Sequence, residues 1–289
     1  MKIAIVTDSN SGISQQEAKD LNISIIPMPF LIDGEEYFED ITLSQEEFYR
    51  RLQQGAEVST SQPSIFAVGE VWDELLKTHD AVVHIPMSGG LSASVDTAKK
   101  YAEQYDGKVQ VVDNHRISVT QKQSVFDALK LAEMGKTAVE IKEILEKDAL
   151  QASIYIMVTT LKYLKKGGRI TPVAAALGSL LKIKPVLQIQ GDKLDKFCQV
   201  ITEFQGKKRM IAQMKEDIKN RFSDLLKDNK LGVYMAYTNC KEKCLEFKKE
   251  AEKELAEFGL KIEFVDPLSL SVASHIGDGA IAIACAKKL

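Results

Sequence analysis

The chain opens on a short apolar run, IAIVTD at residues 3–8, and similar runs return at AVVHIPM (81–87) and VQVVD (109–113). Each ends in polar or small residues, the pattern of strands buried on both faces of a parallel sheet. Between these runs the apolar residues recur at helical spacing. SQEEFYRRLQQ starts with Ser44 and Glu47 at capping-box spacing, and PSIFAVGEVWDELLK and LSASVDTAKKYAEQY follow it. Strands alternating with helices predict an α/β domain on a mainly parallel sheet.

After the helical stretch AVEIKEILEKDAL the pattern changes. SIYIMVT, PVLQIQGDKLDKFCQV, LGVYMAYT and AIAIACAKK read as strands, and charged helices are predicted at roughly 207–227 and 240–257. Gly191-Asp192 lies between two alternating runs and predicts a hairpin, which makes the second sheet mixed. The boundary is expected near residue 150, with an N-terminal domain over 1–150 and a C-terminal domain over 151–289.

Composition narrows the classes. With 289 residues, 45% hydrophobic and 27% charged, the chain is an ordinary globular protein with room for two domains. Its 38 basic residues against 41 acidic ones leave a net charge of −3, so no electrostatic footprint for nucleic acid is present. No run approaches the length of a membrane span. The N-terminus also lacks the longer apolar region of a signal peptide, so a cytoplasmic protein is expected. Cys240 and Cys244 lie one helical turn apart, but neither they nor Cys198 and Cys285 have companions at ligand spacing. Reduced thiols and no metal site are expected.

Three polar clusters sit at predicted strand ends: TDSNSG after the first strand, TSQPS before a helix, and MSGGLSAS (87–94), where Gly89-Gly90 leads into a helix. In open α/β sheets, ligands lie outside the carboxyl ends of the strands. Ser59, Thr60 and Ser61 stand at a helix entrance, where a hydroxyl ordinarily caps the backbone but where an anion is also favoured. Together the clusters predict one pocket that receives an anion. The glycine turn lacks the Gly-Lys-Ser/Thr end of a nucleotide loop and the spacing of dinucleotide binders. None of the clusters contains Lys or Arg, so a triphosphate would be poorly neutralised there. A single carboxylate, held by hydroxyls and backbone N–H groups, suits these donors better. His275, in SHIGDGA (274–280), is read as part of a glycine-bearing loop that lets a ligand approach closely. Arg169 follows two glycines in KKGGRI (165–170), a pattern that by itself describes a helix C-cap with a surface arginine.

Taken together and in order, VTDS, TSQPS, SGGLSAS, KKGGRI and SHIGDGA resemble the DegV family, the bacterial fatty acid-binding proteins that serve fatty acid kinase. The resemblance covers essentially the whole chain. It implies a two-domain DegV-like α/β fold, with an N-terminal α/β/α domain on a mainly parallel sheet and a C-terminal α/β domain on a mixed sheet. A long-chain fatty acid is expected between them. The resemblance assigns the carboxylate to Thr60 and Ser92, with Ser61 beside them and a backbone donor from Gly89. His275 belongs to the same network, and Arg169 lies near the mouth. PVAAALGSLLKIKPVL and SIYIMV are the segments expected to line the tail.

The implied role is that of a carrier in phospholipid metabolism, not an enzyme, and it needs no cofactor. A separate, dihydroxyacetone-kinase-like ATP-binding protein would phosphorylate the carboxylate to acyl-phosphate, with transient contact to a membrane surface. The sequence departs from the family pattern in three places. Ser88-Gly89 stands where paired serines occur, NHRISVTQKQ lacks the glycines often found there, and VITEFQGKKRM lacks an arginine before its Lys-rich helix, leaving Glu203 and Phe204 nearby. The competing reading is a serine hydrolase, because Ser92, Asp113 and His275 follow the Ser…Asp…His order of α/β-hydrolases.

Overall fold

The computed structural model describes residues 1–176, 183–191 and 193–289. Strands β1 (Ile3–Asp8) and β2 (Ser24–Ile26) precede three short ones, β3 (Pro29–Ile32), β4 (Glu35–Phe38) and β5 (Val58–Thr60). β6 (Ala81–Ile85) and β7 (Val109–Val111) follow. The second half holds β8 (Ala152–Met157), β9 (Lys184–Ile189), β10 (Asp195–Val200), β11 (Leu231–Tyr237), β12 (Ile262–Pro267) and β13 (Ile281–Lys287). The helices of the first half are α1 (Gln15–Asp20), α2 (Gln45–Gln53), α3 (Ile65–Leu76), α4 (Ser94–Ala102), α5 (Val119–Glu133) and α6 (Ala138–Lys147). Those of the second are α7 (Lys162–Gly167), α8 (Pro172–Ala175), α9 (Glu203–Asn220), α10 (Ser223–Lys227), α11 (Lys241–Leu255) and α12 (Leu270–Ile276).

The order β2-β1-β6-β7 forms a four-stranded parallel sheet. Side chains alternate across a strand, so its apolar runs feed two layers. Ala4, Val6 and Val82 pack on Trp72 of α3 and Ala98 of α4. Ile5, Val83 and Ile85 pack on Val125 and Leu131 of α5 and Ile141 of α6. Burial on both faces is why these strands read as continuous hydrophobic runs.

The second sheet is six-stranded, in the order β10-β9-β8-β13-β11-β12, and only β11 and β12 pair in parallel. Tyr155, Val233 and Ile283 face α9 and α11 through Met210, Met214 and Phe247. Ile154, Ile156 and Ala282 face the other way, onto a core shared with Leu91, Ile117 and Val119 of the first half. The two strands of the predicted hairpin do pair antiparallel as β9 and β10, although Asp192 of the proposed turn lies outside the described residues.

A third, antiparallel sheet, β4-β3-β5, has no counterpart in the sequence pattern. Its strands of three or four residues are too short to show an alternation. Phe30, Ile32 and Val58 pack on Phe48 and Leu52 of α2 and on Leu270 and Ala273 of α12, so this sheet touches the far end of the chain. Two local expectations also shift. The predicted 207–227 helix begins earlier, at Glu203, and breaks after Asn220. Ser44 caps α2 by accepting the Glu47 N–H at 3.2 Å, but the Glu47 carboxylate turns to Arg50 and Arg51 instead of closing a capping box.

Candidate functional site

Five of the six predicted site residues, Thr60, Ser61, Ser92, Arg169 and His275, line one cavity of about 290 Å3 between the two halves. Thr60 ends β5 and pairs with Phe30, so it does not cap a helix. Helix α3 starts only at Ile65, past Gln62-Pro63 and Ser64, and the Ser61 N–H donates to the Pro29 carbonyl. The expectation of cap hydroxyls at 59–61 is therefore corrected: backbone pairing with β3 consumes this segment and turns the Thr60 hydroxyl toward the second half. There it lies 2.8 Å from Nε2 of His275.

His275 stands in the last turn of a short helix, not in a loop. Ser269 caps α12 at its start, and Gly277, at φ +82°, ends it. The Ser269 and Ser271 hydroxyls both donate to Oδ1 of Asn10, and the Leu270 N–H donates to Glu39 at 2.9 Å. Burial pushes the Glu39 carboxyl up to about 7. Asn10, from the TDSNSG cluster, and Glu39, which sequence reasoning missed, are thus positioning residues: neither touches the cavity, and their contacts span over two hundred residues.

Gly167 is a second omission. A Cβ there would sit 2.2 Å from Nδ1 of His275, so the imidazole occupies the space a side chain would take. Gly168, at φ +69°, is the C-cap of α7 and donates to the Leu164 and Lys165 carbonyls. The two adjacent glycines therefore do different jobs: one seats the histidine and the other ends the helix. Arg169 follows, turned inward rather than out to solvent. Its Nε donates to the Leu91 carbonyl at 3.2 Å and its Nη1 to the Gly167 carbonyl at 2.5 Å.

Burial, with the Arg169 charge adding to it, holds the His275 imidazole down to about 4. The folded-state value lies below the ordinary 6.5, so the unfolded chain protonates first as pH falls. The stability this residue contributes is present above 6.5 and is lost as pH drops toward 4. We expect the His275 ring resonances of the folded protein to stay constant between about pH 8 and pH 5. An NMR midpoint near the ordinary value would contradict the buried, neutral ring.

Ser92 lies in the turn between β6 and α4. Its N–H donates to the Ser88 carbonyl and its Oγ accepts the Ser94 N–H at 3.2 Å. Its own proton has no acceptor among the described residues. Gly89 is a correction, because it does not line the cavity. Its N–H donates to Oδ1 of Asp113 at 3.1 Å, and a Cβ there would meet Oδ2 of Asp113 at 2.5 Å. A serine at 89 therefore has no room while that carboxylate stays in place. Ser88 sends its hydroxyl to the Gly191 carbonyl.

These contacts also dismantle the hydrolase arrangement. His275 bonds Thr60, Asp113 bonds backbone N–H groups, and Ser92 accepts from Ser94. No hydrogen bond joins Ser92, Asp113 and His275 among the described residues, and a nucleophile needs its base within reach.

Leu91, Ile117, Leu164, Leu194 and Ile276 form much of the apolar part of the cavity wall and belong to the core between the halves. Of the segments expected to line a tail, residues 177–182 lie outside the described residues. Ile154, Ile156 and Leu187 pack in the same core without lining the cavity. The TDSNSG cluster does not reach the cavity either. Asp8 accepts the Met87 N–H at 2.8 Å and supports the Ser92 turn from behind.

Comparison with known proteins agrees with this architecture. The family model described as "Uncharacterised protein, DegV family" matches residues 2–288. A DegV domain-containing protein of Deinococcus radiodurans is 32% identical over 224 residues, covering 77% of this chain and 78% of its own. Among solved structures, a fatty acid-binding DegV family protein from Thermus thermophilus superimposes with a TM-score of 0.87 at 27% identity, covering 99% of this chain and 100% of its own. DegV, a fatty acid binding protein from Bacillus subtilis, gives 0.83 at 26% identity over the whole of both chains. With its parallel and mixed sheets, its cavity and a family match from end to end, the chain belongs to the DegV family.

Proposed function

We propose that the cavity binds a long-chain fatty acid, with the carboxylate at the Thr60–Ser92 end and the tail along Leu91, Ile117, Leu164, Leu194 and Ile276. One observation carries this reading: a single cavity has hydroxyls, one guanidinium and a neutral imidazole among its polar lining groups, and an aliphatic wall elsewhere. The relatives from Thermus thermophilus and Bacillus subtilis, described as fatty acid binding, support it. If His275 donates from Nε2 to Thr60, the Thr60 proton is free for the ligand, and Ser92 offers a second. A monoanion is well matched by two hydroxyls and Arg169, whereas a triphosphate would need more positive charge. Burying a sixteen-carbon tail supplies about 12 kcal/mol before costs, at roughly 0.8 per methylene, so a modest polar subsite suffices.

The protein then acts as a carrier. A separate ATP-dependent kinase takes the bound carboxylate as nucleophile and returns an acyl-phosphate, a partnership that rests on the sequence resemblance. Native mass spectrometry of the purified chain, followed by lipid extraction, tests the binding reading. A co-purified fatty acid, or stoichiometric uptake of added palmitate, is expected. Protein that carries none and takes up none overturns it.

A further inference from the structure

Behind the Ser92 turn lies a second, smaller cavity with about 10 Å3 of free volume. Asp8, His84 and Ser94 line it, from the end of β1, the middle of β6 and the first residue of α4. They are only 2%, 3% and 7% exposed. Much of the remaining wall is aliphatic, with Ile26, Val68 and Ala98.

Gln62 and Thr97 also line it and bond each other, the Thr97 hydroxyl donating to Oε1 of Gln62 at 3.3 Å. The three buried polar residues are not equally satisfied. Asp8 accepts from the Asn10 N–H at 3.0 Å, from Nε2 of Gln121 at 3.1 Å and from the Met87 N–H at 2.8 Å. Among the described residues, neither ring nitrogen of His84 has a hydrogen-bond partner, and the Ser94 hydroxyl has none either. Burial holds His84 down to about 3, so its ring is neutral and carries one N–H and one bare nitrogen. Buried polar atoms left unpaired are costly, and protein interiors satisfy them with protein groups or ordered water. A cavity of this size admits about one water sphere and is too small for an acyl chain.

The geometry points to a single bound water in this cavity, hydrogen-bonded to the Ser94 hydroxyl and one ring nitrogen of His84, that positions Ser92 for its ligand. The link to Ser92 is short. Ser94, anchored through its hydroxyl, donates its N–H to the Ser92 Oγ, which fixes the direction left for the Ser92 proton. Asp8 holds Met87 at the other end of the same turn. The 87–94 segment is thus tied at both ends to one buried polar cluster, with His84 reaching the α4 end through the water. His84 and Ser94 are positioning residues, and their role rests on the reading of Ser92 as a carboxylate partner.

A high-resolution crystal structure of the full chain with palmitate bound is the first test. We expect a solvent peak within hydrogen-bond distance of both the Ser94 Oγ and a His84 ring nitrogen. Its absence in the wild-type protein overturns the proposal, whatever the variants do. The second test measures palmitate and methyl palmitate binding by Ser94→Ala and by Ser92→Ala. The affinity advantage of the acid over the ester is expected to narrow about fivefold in Ser94→Ala, with ester affinity unchanged. Parallel loss for both ligands means that Ser94 is merely structural and overturns the positioning role, as does an unchanged ratio. If Ser92→Ala itself leaves the ratio unchanged, the carboxylate assignment falls. If Ser92→Ala narrows it and Ser94→Ala does not, only the water-mediated positioning falls.

Discussion

Shortening the ligand from sixteen carbons to eight is expected to weaken binding by up to about 6 kcal/mol, at roughly 0.8 kcal/mol per methylene. That corresponds to about four orders of magnitude in Kd. The reason lies in how the two ends of the cavity differ. Hydroxyls at the polar end exchange hydrogen bonds with water for hydrogen bonds with the ligand, so each contributes only roughly 1.5–3 kcal/mol net. The aliphatic wall of Leu91, Ile117, Leu164, Leu194 and Ile276 instead takes methylenes out of water with no hydrogen bonds to exchange. Calorimetry over an even-numbered series of free acids checks this. An affinity that does not change with chain length would mean a small anionic ligand and no acyl site.

The second large effect concerns the polar end. Thr60→Val and Ser92→Ala are each expected to cost roughly 1.5–3 kcal/mol of fatty acid affinity, the loss of a hydrogen bond to a charged group. Thr60→Val keeps the β-branched shape that suits the end of β5, so its pairing with Phe30 survives. It also removes the partner of His275 and leaves the imidazole facing a methyl group. Thr60→Ser restores the hydroxyl and is expected to recover most of the affinity, which separates a hydrogen-bonding role from a packing one. Unchanged affinity in both Thr60→Val and Ser92→Ala would place the carboxylate elsewhere.

Much of the framework was legible because its signals are local. β1, β6 and β7 are buried on both faces, so they had to be continuously apolar, and the helical stretch AVEIKEILEKDAL marked α6. Residue type alone also singled out TSQPS and MSGGLSAS, both of which reach the cavity. Thr60 shows the limit of such reasoning. The tripeptide Ser59-Thr60-Ser61 reads as a helix entrance because Pro63 and an apolar helix follow, yet three backbone pairings with β3 make its first two residues the end of a strand. Such a strand is stabilised by its neighbours in the sheet rather than by its own pattern.

From its residues alone the chain determined an α/β class, a parallel sheet before a mixed one, and clusters of hydroxyls at the ends of strands. Only the tertiary structure decided which of them meet. It brought Thr60 to His275 across 215 residues, gave the histidine its seat against Gly167, and sent Gly89 and Asp113 to each other instead of to the cavity. The physical reason is that strand and helix patterns are written in spacings of a few residues, which any local window contains. A binding site is written in distances of a few ångströms between residues far apart in sequence, and those distances exist only once the shared core of the two halves has closed.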